Sequence, residues 1–147
     1  MTNDLAVHGV ETGTIYVLRS NSDNATMVRH RDLIHKIGVT GSEVSARLSN
    51  AKADPTFLFA DVEVVATYKL ININRAKLEA LLHRFFSGAR LDVEIPDRFG
   101  RTVKPREWFL VPLHVIDEVV DRIKDQSITS YAYEPGRAEL IKITGET

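Results

Sequence analysis

No cysteine occurs in the 147 residues, so disulfides and thiolate metal sites are excluded. The histidines are few and scattered, with no HExxH or paired ligand spacing, and no structural zinc is expected. No apolar run approaches the length of a membrane span. The first residues, 1–11, lack a charged region followed by an apolar stretch, so a cytoplasmic protein follows by elimination. Gly41-Ser42 is not followed by the Gly-Lys-Ser/Thr of a phosphate loop. Internal repeats, low-complexity tracts and a second domain are not discernible. Nor is there an excess of positive charge: 19 Lys and Arg stand against 20 Asp and Glu, a net charge of −1. A nonspecific nucleic-acid binder is usually basic overall, so any such partner must be met by local clusters. Arg29-His30-Arg31 is one cluster, and reads as a solvated loop. Arg98, Arg101, Lys104 and Arg106 form the other; with fewer acids nearby, they are the candidates for phosphate contacts.

What is present suits one globular domain. Hydrophobic residues make up 44% of the chain, enough at this length for a sizeable core. Two short runs, Thr14-Ile15-Tyr16-Val17-Leu18 and Leu33-Ile34-His35-Lys36-Ile37-Gly38-Val39, are rich in β-branched and aromatic residues and are bounded by turn formers. Both predict strands. Side chains alternate along a strand, so Tyr16 and Leu18 share one face, and Ile34 and Lys36 share one face of the second run. Paired as a hairpin, the runs would set a phenol beside an ammonium. Residues 20–32 between them are polar and without period, and read as a loop. Thr40-Gly41-Ser42-Glu43 has capping-box spacing and predicts a helix through residues 44–51.

A turn with Pro55 is expected over residues 52–56. Val62, Val64, Ala66, Tyr68 and Leu70 alternate and predict a strand with one apolar face. Asn74 is placed to cap a helix over residues 75–87, stopped by Gly88, with Leu78, Leu81, Leu82 and Phe85 as its core stripe. Glu79 and His83 are four apart and share a neighbouring face. Short strands are expected at 93–95 and 108–111, a turn at Phe99-Gly100 and a helix over 113–124. Residues 128–133 and 138–143 are expected to pair across Pro135-Gly136. The predicted class is α/β, with a small mixed or antiparallel central sheet flanked by helices.

Thr14-Ile15-Tyr16 and Lys36-Ile37-Gly38, followed by Arg47 and Glu79, resemble the signature of the GIY-YIG nuclease family. The resemblance covers residues 13–110. It is nearer to the branch that carries KIG in place of YIG, with a glutamate followed by Leu-His and a late Trp-Phe. It implies a nuclease domain over residues 13–112. Residues 1–12 read as a flexible tail, and residues 113–147, outside the motifs of the resemblance, as a C-terminal helix and short strands packed on the same domain. The resemblance further implies a divalent-metal-dependent DNA endonuclease. Glu79 would hold Mg²⁺ or Mn²⁺, Arg47 the phosphate, and Tyr16 would act as base or position the water. Lys36 would tune Tyr16 or contact phosphate, and His83 would join the catalytic group. Target reading in such proteins resembles a division of labour, which leaves a separate targeting domain or partner protein open.

The chemistry suits those residue types. A divalent ion on a carboxylate acts as Lewis acid on a leaving oxygen. A guanidinium offers fixed donors to phosphate. A phenol, with a pKa of ~10, becomes a base only where nearby positive charge or metal lowers it. Each residue also has an ordinary role: Tyr16 at the core edge, Lys36 guarding a strand edge, Arg47 and Glu79 on helix surfaces, His83 on a backbone carbonyl, Trp108 in the core. A nucleic-acid-binding module without turnover and a protein-interaction adaptor are the competing functions.

Overall fold

A computed structural model gives the fold and describes residues 7–49, 51, 54, 57–58, 60–96 and 99–143. In chain order the elements are β1 (His8–Ser20), α1 (Ala25–Arg29), β2 (Ile34–Thr40), α2 (Val44–Arg47), β3 (Val62–Ile73) and α3 (Arg75–Phe85). Then follow β4 (Ile95–Pro96), β5 (Thr102–Val103), β6 (Trp108–Leu110), α4 (Leu113–Lys124), β7 (Tyr131–Glu134) and β8 (Glu139–Lys142). The main sheet has four strands in the order β3-β1-β2-β6, every pair antiparallel. The small α/β class expected from the sequence is the class found. Among the described residues no helix is long and apolar enough to cross a membrane.

Strand alternation gives the sheet two apolar faces. Ile15, Val17, Ile37 and Phe109 point to one, where they bury against Leu78, Leu81, Leu82 and Phe86 of the α3 region and against Val115, Ile116, Val119 and Val120 of α4. Each such side chain contributes roughly 1.5–3 kcal/mol on burial. Tyr16, Leu18, Ile34, Lys36 and Trp108 point to the other face, which is covered by loop and short-helix residues such as Met27, Ala51, Phe57 and Leu58. The predicted spacing of α4 is met to the residue, and β7 pairs with β8 across Pro135-Gly136, but Ile128–Ser130 of the strand expected over 128–133 form a 3₁₀ turn. Gly100 turns the β4–β5 hairpin at φ +81°, a conformation that favours glycine.

Several local expectations are corrected. β1 begins at His8, so His8–Thr12 extends the strand and is not part of a loose tail. The polar stretch after β1 holds α1, whose cap is Asn24: its side chain accepts from the Thr26 amide at 3.0 Å. The capping box at Thr40 is not formed. Thr40 Oγ1 accepts from the Ser42 amide at 3.2 Å, closing a local turn, and α2 starts after Glu43 with no side-chain cap. Without a cap, α2 is four residues long. Asn74 does cap α3, accepting from Lys77, but α3 ends at Phe85 and passes into a 3₁₀ turn, Ser87–Ala89, that contains Gly88. The strand expected at 93–95 is β4, which starts two residues later and runs one residue further. In β3 the register slips between Val17–Ala66 and Leu18–Val64, which makes Val65 a bulge. The single apolar face expected of that strand is therefore split. Ala66, Tyr68 and Leu70 pack toward the helices, whereas Val62 packs against the Tyr16 and Ile34 clusters. Apart from Asp54, the turn expected over 52–56 lies outside the described residues, as does Arg98.

His35 is the buried polar residue of the helix-side face, with no exposed surface. Its Nδ1–H donates to the Val111 carbonyl at 2.8 Å, and Nε2 has no partner among the described residues. Burial pushes its pKa below 6.5; the Val111 bond opposes that, Arg19 adds to it and Asp32 offsets it. A depressed histidine favours the unfolded chain once protonated there. Its contribution to stability is thus full above pH 6.5 and is lost as pH falls below that value. Urea unfolding across pH 7.5 to 5.5 is expected to show this loss at up to about 1.4 kcal/mol per pH unit, and His35→Asn should remove that part of the slope. Equal slopes for the two proteins would show that His35 is not the group responsible.

Candidate functional site

In the β1–β2 register Tyr16 stands opposite Gly38 and Leu18 opposite Lys36, so Tyr16 and Lys36 are diagonal neighbours on one face. The Tyr16 ring lies across Gly38: a Cβ added to Gly38 would come within 2.4 Å of both Cζ and the hydroxyl oxygen of Tyr16. The Lys36 ammonium is 3.5 Å from that hydroxyl and 2.6 Å from Oε1 of Glu107. The short contact with Glu107 is the strong one; 3.5 Å is long for a hydrogen bond. Two rings complete the surroundings of the ammonium, with centroids at 5.0 Å for Phe57 and 5.2 Å for Tyr16. The guanidinium of Arg47 lies 5.1 Å from the same Phe57 ring and 4.0 Å from Asp54. Phe57 therefore links Arg47 to Lys36.

Glu79 and His83 are placed by a different need. β6 pairs with only Ile34 to Lys36 of β2, so the next polar groups on that edge have no strand partner. The Ile37 N–H goes to the Glu107 carbonyl at 3.1 Å. The Ile37 carbonyl accepts from His83 Nε2 at 2.7 Å, and the Val39 N–H donates to Glu79 Oε1 at 2.8 Å. Spaced four apart on α3, Glu79 and His83 thus close the open edge of β2. His83 does sit on a backbone carbonyl, and that bond places its proton on Nε2.

The two groups meet at Gly38. The Tyr16 hydroxyl lies over this residue, and Glu79 binds the amide that follows it. The Tyr16 phenol, the Lys36 ammonium with its Glu107 carboxylate, and the Glu79 carboxylate are therefore all engaged at or beside the free end of β2, with the Arg47 guanidinium joined to them through Phe57. Tyr16 and Lys36 are 2% and 0% exposed, while Glu79 is half-buried and Arg47 exposed. Trp108 is a core residue with no exposed surface. Arg31, in the first basic cluster, ties down the β1 turn by donating to the carbonyls of Ser20 and Ser22.

Of the second basic cluster, Arg101 is exposed beside β5. Lys104 and Arg106 line a cleft of about 630 Å³ that also takes in His83 and Glu107. Sequence reasoning missed Glu107, Phe57 and Arg90, which lines the same cleft. Glu107 carried one signal, its place immediately before the Trp108 strand. Phe57 and Arg90 carried none, since their contacts here are with residues distant in the chain.

Compared with known proteins, residues 13–124 match the model of the T5orf172 domain. The chain is also 40% identical over 114 residues to a Bacillus subtilis (strain 168) protein named "Uncharacterized protein YeeC". That stretch is 78% of this chain and 30% of the relative. No solved structure matches. The chain belongs to the T5orf172 domain family. This corrects the resemblance to the GIY-YIG family read from the two triplets. A local packing need accounts for that pair of triplets without the family: a tyrosine laid across the neighbouring strand needs a glycine opposite, and β-branched residues flank both.

Gly38→Ala should force the Tyr16 ring aside and cost about 1–3 kcal/mol of stability. In a Tyr16→Leu background the same substitution should cost less by at least about 1 kcal/mol. Chemical denaturation of the four proteins measures this coupling, and additive losses would refute the packing argument.

Proposed function

We propose that this member of the T5orf172 domain family is a cytoplasmic, divalent-metal-dependent DNA endonuclease whose site is the free end of β2. The observation that carries the reading is the buried ammonium of Lys36 beside the Tyr16 hydroxyl. Taking a lysine out of water costs several kcal/mol, and an apolar side chain would fill the position without that cost. A charge kept there suits a reaction in which the neighbouring oxygen becomes negative.

Hydrolysis of a phosphodiester requires an activated water, a held phosphate and a stabilised leaving oxygen. In this reading Tyr16 takes the water's proton or positions the water. Lys36 stabilises negative charge on the Tyr16 oxygen or contacts phosphate. Arg47 donates to phosphate oxygens, with Lys104, Arg106 and Arg101 as outer contacts. His83, with Nε2–H on the Ile37 carbonyl, orients the edge that Glu79 binds. Glu79 suits a magnesium ion held by one carboxylate and several waters: Oε1 is committed to Val39, and Oε2 has no protein partner among the described residues. When bound, such an ion supplies Lewis-acid stabilisation of the leaving oxygen.

A nucleic-acid-binding module without turnover is the second reading. The near-complete burial of Tyr16 and Lys36 favours it, as does the engagement of Glu79 and His83 with the edge of β2.

Incubation with supercoiled plasmid and Mg²⁺ or Mn²⁺ separates the two. Metal-dependent nicking is expected, reduced at least ~100-fold by Glu79→Gln and by Arg47→Ala. Salt-sensitive DNA binding with no nicking would instead support the second reading. Nicking unaffected by Glu79→Gln would remove Glu79 from the site.

A further inference from the structure

We propose that the cleft beside Glu107 seats a backbone phosphate of the nucleic-acid strand, with Arg90 as its fixed donor. The proposal rests on the reading of DNA as the partner and adds to it a residue and a place. Arg90 follows the 3₁₀ turn Ser87–Ala89, and its backbone bridges to Phe109 of β6. Its Nε donates to the Arg106 carbonyl at 3.0 Å, and Nη2 lies 3.5 Å from the His83 carbonyl. The guanidinium sits 5.5 Å from the Phe109 ring. These contacts fix the orientation of the group and leave its charge in place, because the carbonyls and the ring are neutral. Among the described residues the Nη1 hydrogens have no partner, and they remain for a ligand in the fork geometry that matches phosphate oxygens.

The surrounding charge has the same sign. Arg90, Lys104 and Arg106 all line the cleft, and among the described residues none of them pairs with a carboxylate. Of the two acids there, Glu107 is paired with Lys36, which leaves Asp92 as the opposing charge. The volume of about 630 Å³ lies in the range of ligand clefts. Its position is informative as well. Glu107 belongs both to the cleft and to the Lys36–Tyr16 contact, so a strand seated on Arg90 would pass directly beside that pair.

Binding of a labelled DNA oligonucleotide, followed by fluorescence anisotropy from 50 to 200 mM salt without divalent metal, tests the seat. Arg90→Gln should weaken binding about 5- to 20-fold at low salt and lower the slope of log K against log salt by about 1, while Lys69→Gln on β3 should do neither. Arg90→Lys, which keeps charge but loses the fork, should fall between. If Arg90→Gln fails to fold, as judged by its urea midpoint, Lys104→Gln should show the same loss of about one unit of slope. Wild-type binding that neither Arg90→Gln nor Lys104→Gln alters overturns the seat, and leaves any metal-dependent nicking to stand by itself. Arg90-dependent binding by a protein that does not nick supports the seat and removes the endonuclease reading. Absence of DNA binding, with Arg90-dependent thermal protection by inorganic phosphate, assigns the cleft to a free phosphate ligand and overturns the strand. Absence of both overturns the proposal.

Discussion

Lys36 has no exposed surface, and that single buried charge constrains much of what surrounds it. An ammonium removed from water must find compensation within a few ångströms or lose its proton. Here the compensation comes from three directions in the chain. Glu107, just before β6, supplies the counter-charge; Tyr16 on β1 supplies an oxygen; Phe57 supplies a ring face. Glu107 carries a second duty, since its carbonyl accepts the Ile37 N–H. One residue thus satisfies both the charge on β2 and the first unpaired amide beyond β6. The approach of β6 to β2 and the state of the Lys36 ammonium are tied together.

Beyond that amide, the free edge of β2 meets the helix side of the molecule. An unpaired strand edge would either hold water or recruit another chain. α3 prevents both by presenting Glu79 and His83 at helical spacing. The same contacts fix these side chains on regular elements, which gives more exact positioning than a loop would. Glu79 keeps one carboxylate oxygen for other uses, whereas the Nε2 of His83 is occupied. An endonuclease and a binding module without turnover would share this geometry. They differ in whether water and phosphate reach Tyr16, which lies under Phe57 and 2% exposed.

Patterns that repeat within one element were legible in the sequence. Alternation found β1 and β2 and put Tyr16 and Lys36 on one face; helical spacing found α4; Asn74 marked the start of α3. Features set by competition between neighbours were not. Thr40 had two possible uses for its hydroxyl, and the turn to Ser42 won over the cap. A bulge at Val65 is invisible to a period-2 reading, because nothing in the β3 sequence announces the slip against β1. Glu107 and Arg90 gain their meaning from partners far along the chain, which no local pattern encodes. The family was also misjudged, because two short triplets can arise from packing alone.

The charge balance shows why composition is a poor guide to this kind of site. A net charge of −1 argues against a basic protein surface as a whole. Screening at physiological salt, however, limits each exposed charge to a range of about 8 Å. A ligand at the cleft therefore responds chiefly to Arg90, Lys104, Arg106 and Asp92, and little to acids on the far side of the sheet. Pairing matters as well as count: Glu11 pairs with Arg75, Glu107 with Lys36 and Asp125 with Arg122, and each pair neutralises one acid and one base. Arg90 is held by neutral acceptors instead, and its charge stays available. The fold thus brings Arg90, Lys104 and Arg106 to one cleft while the chain as a whole remains nearly neutral.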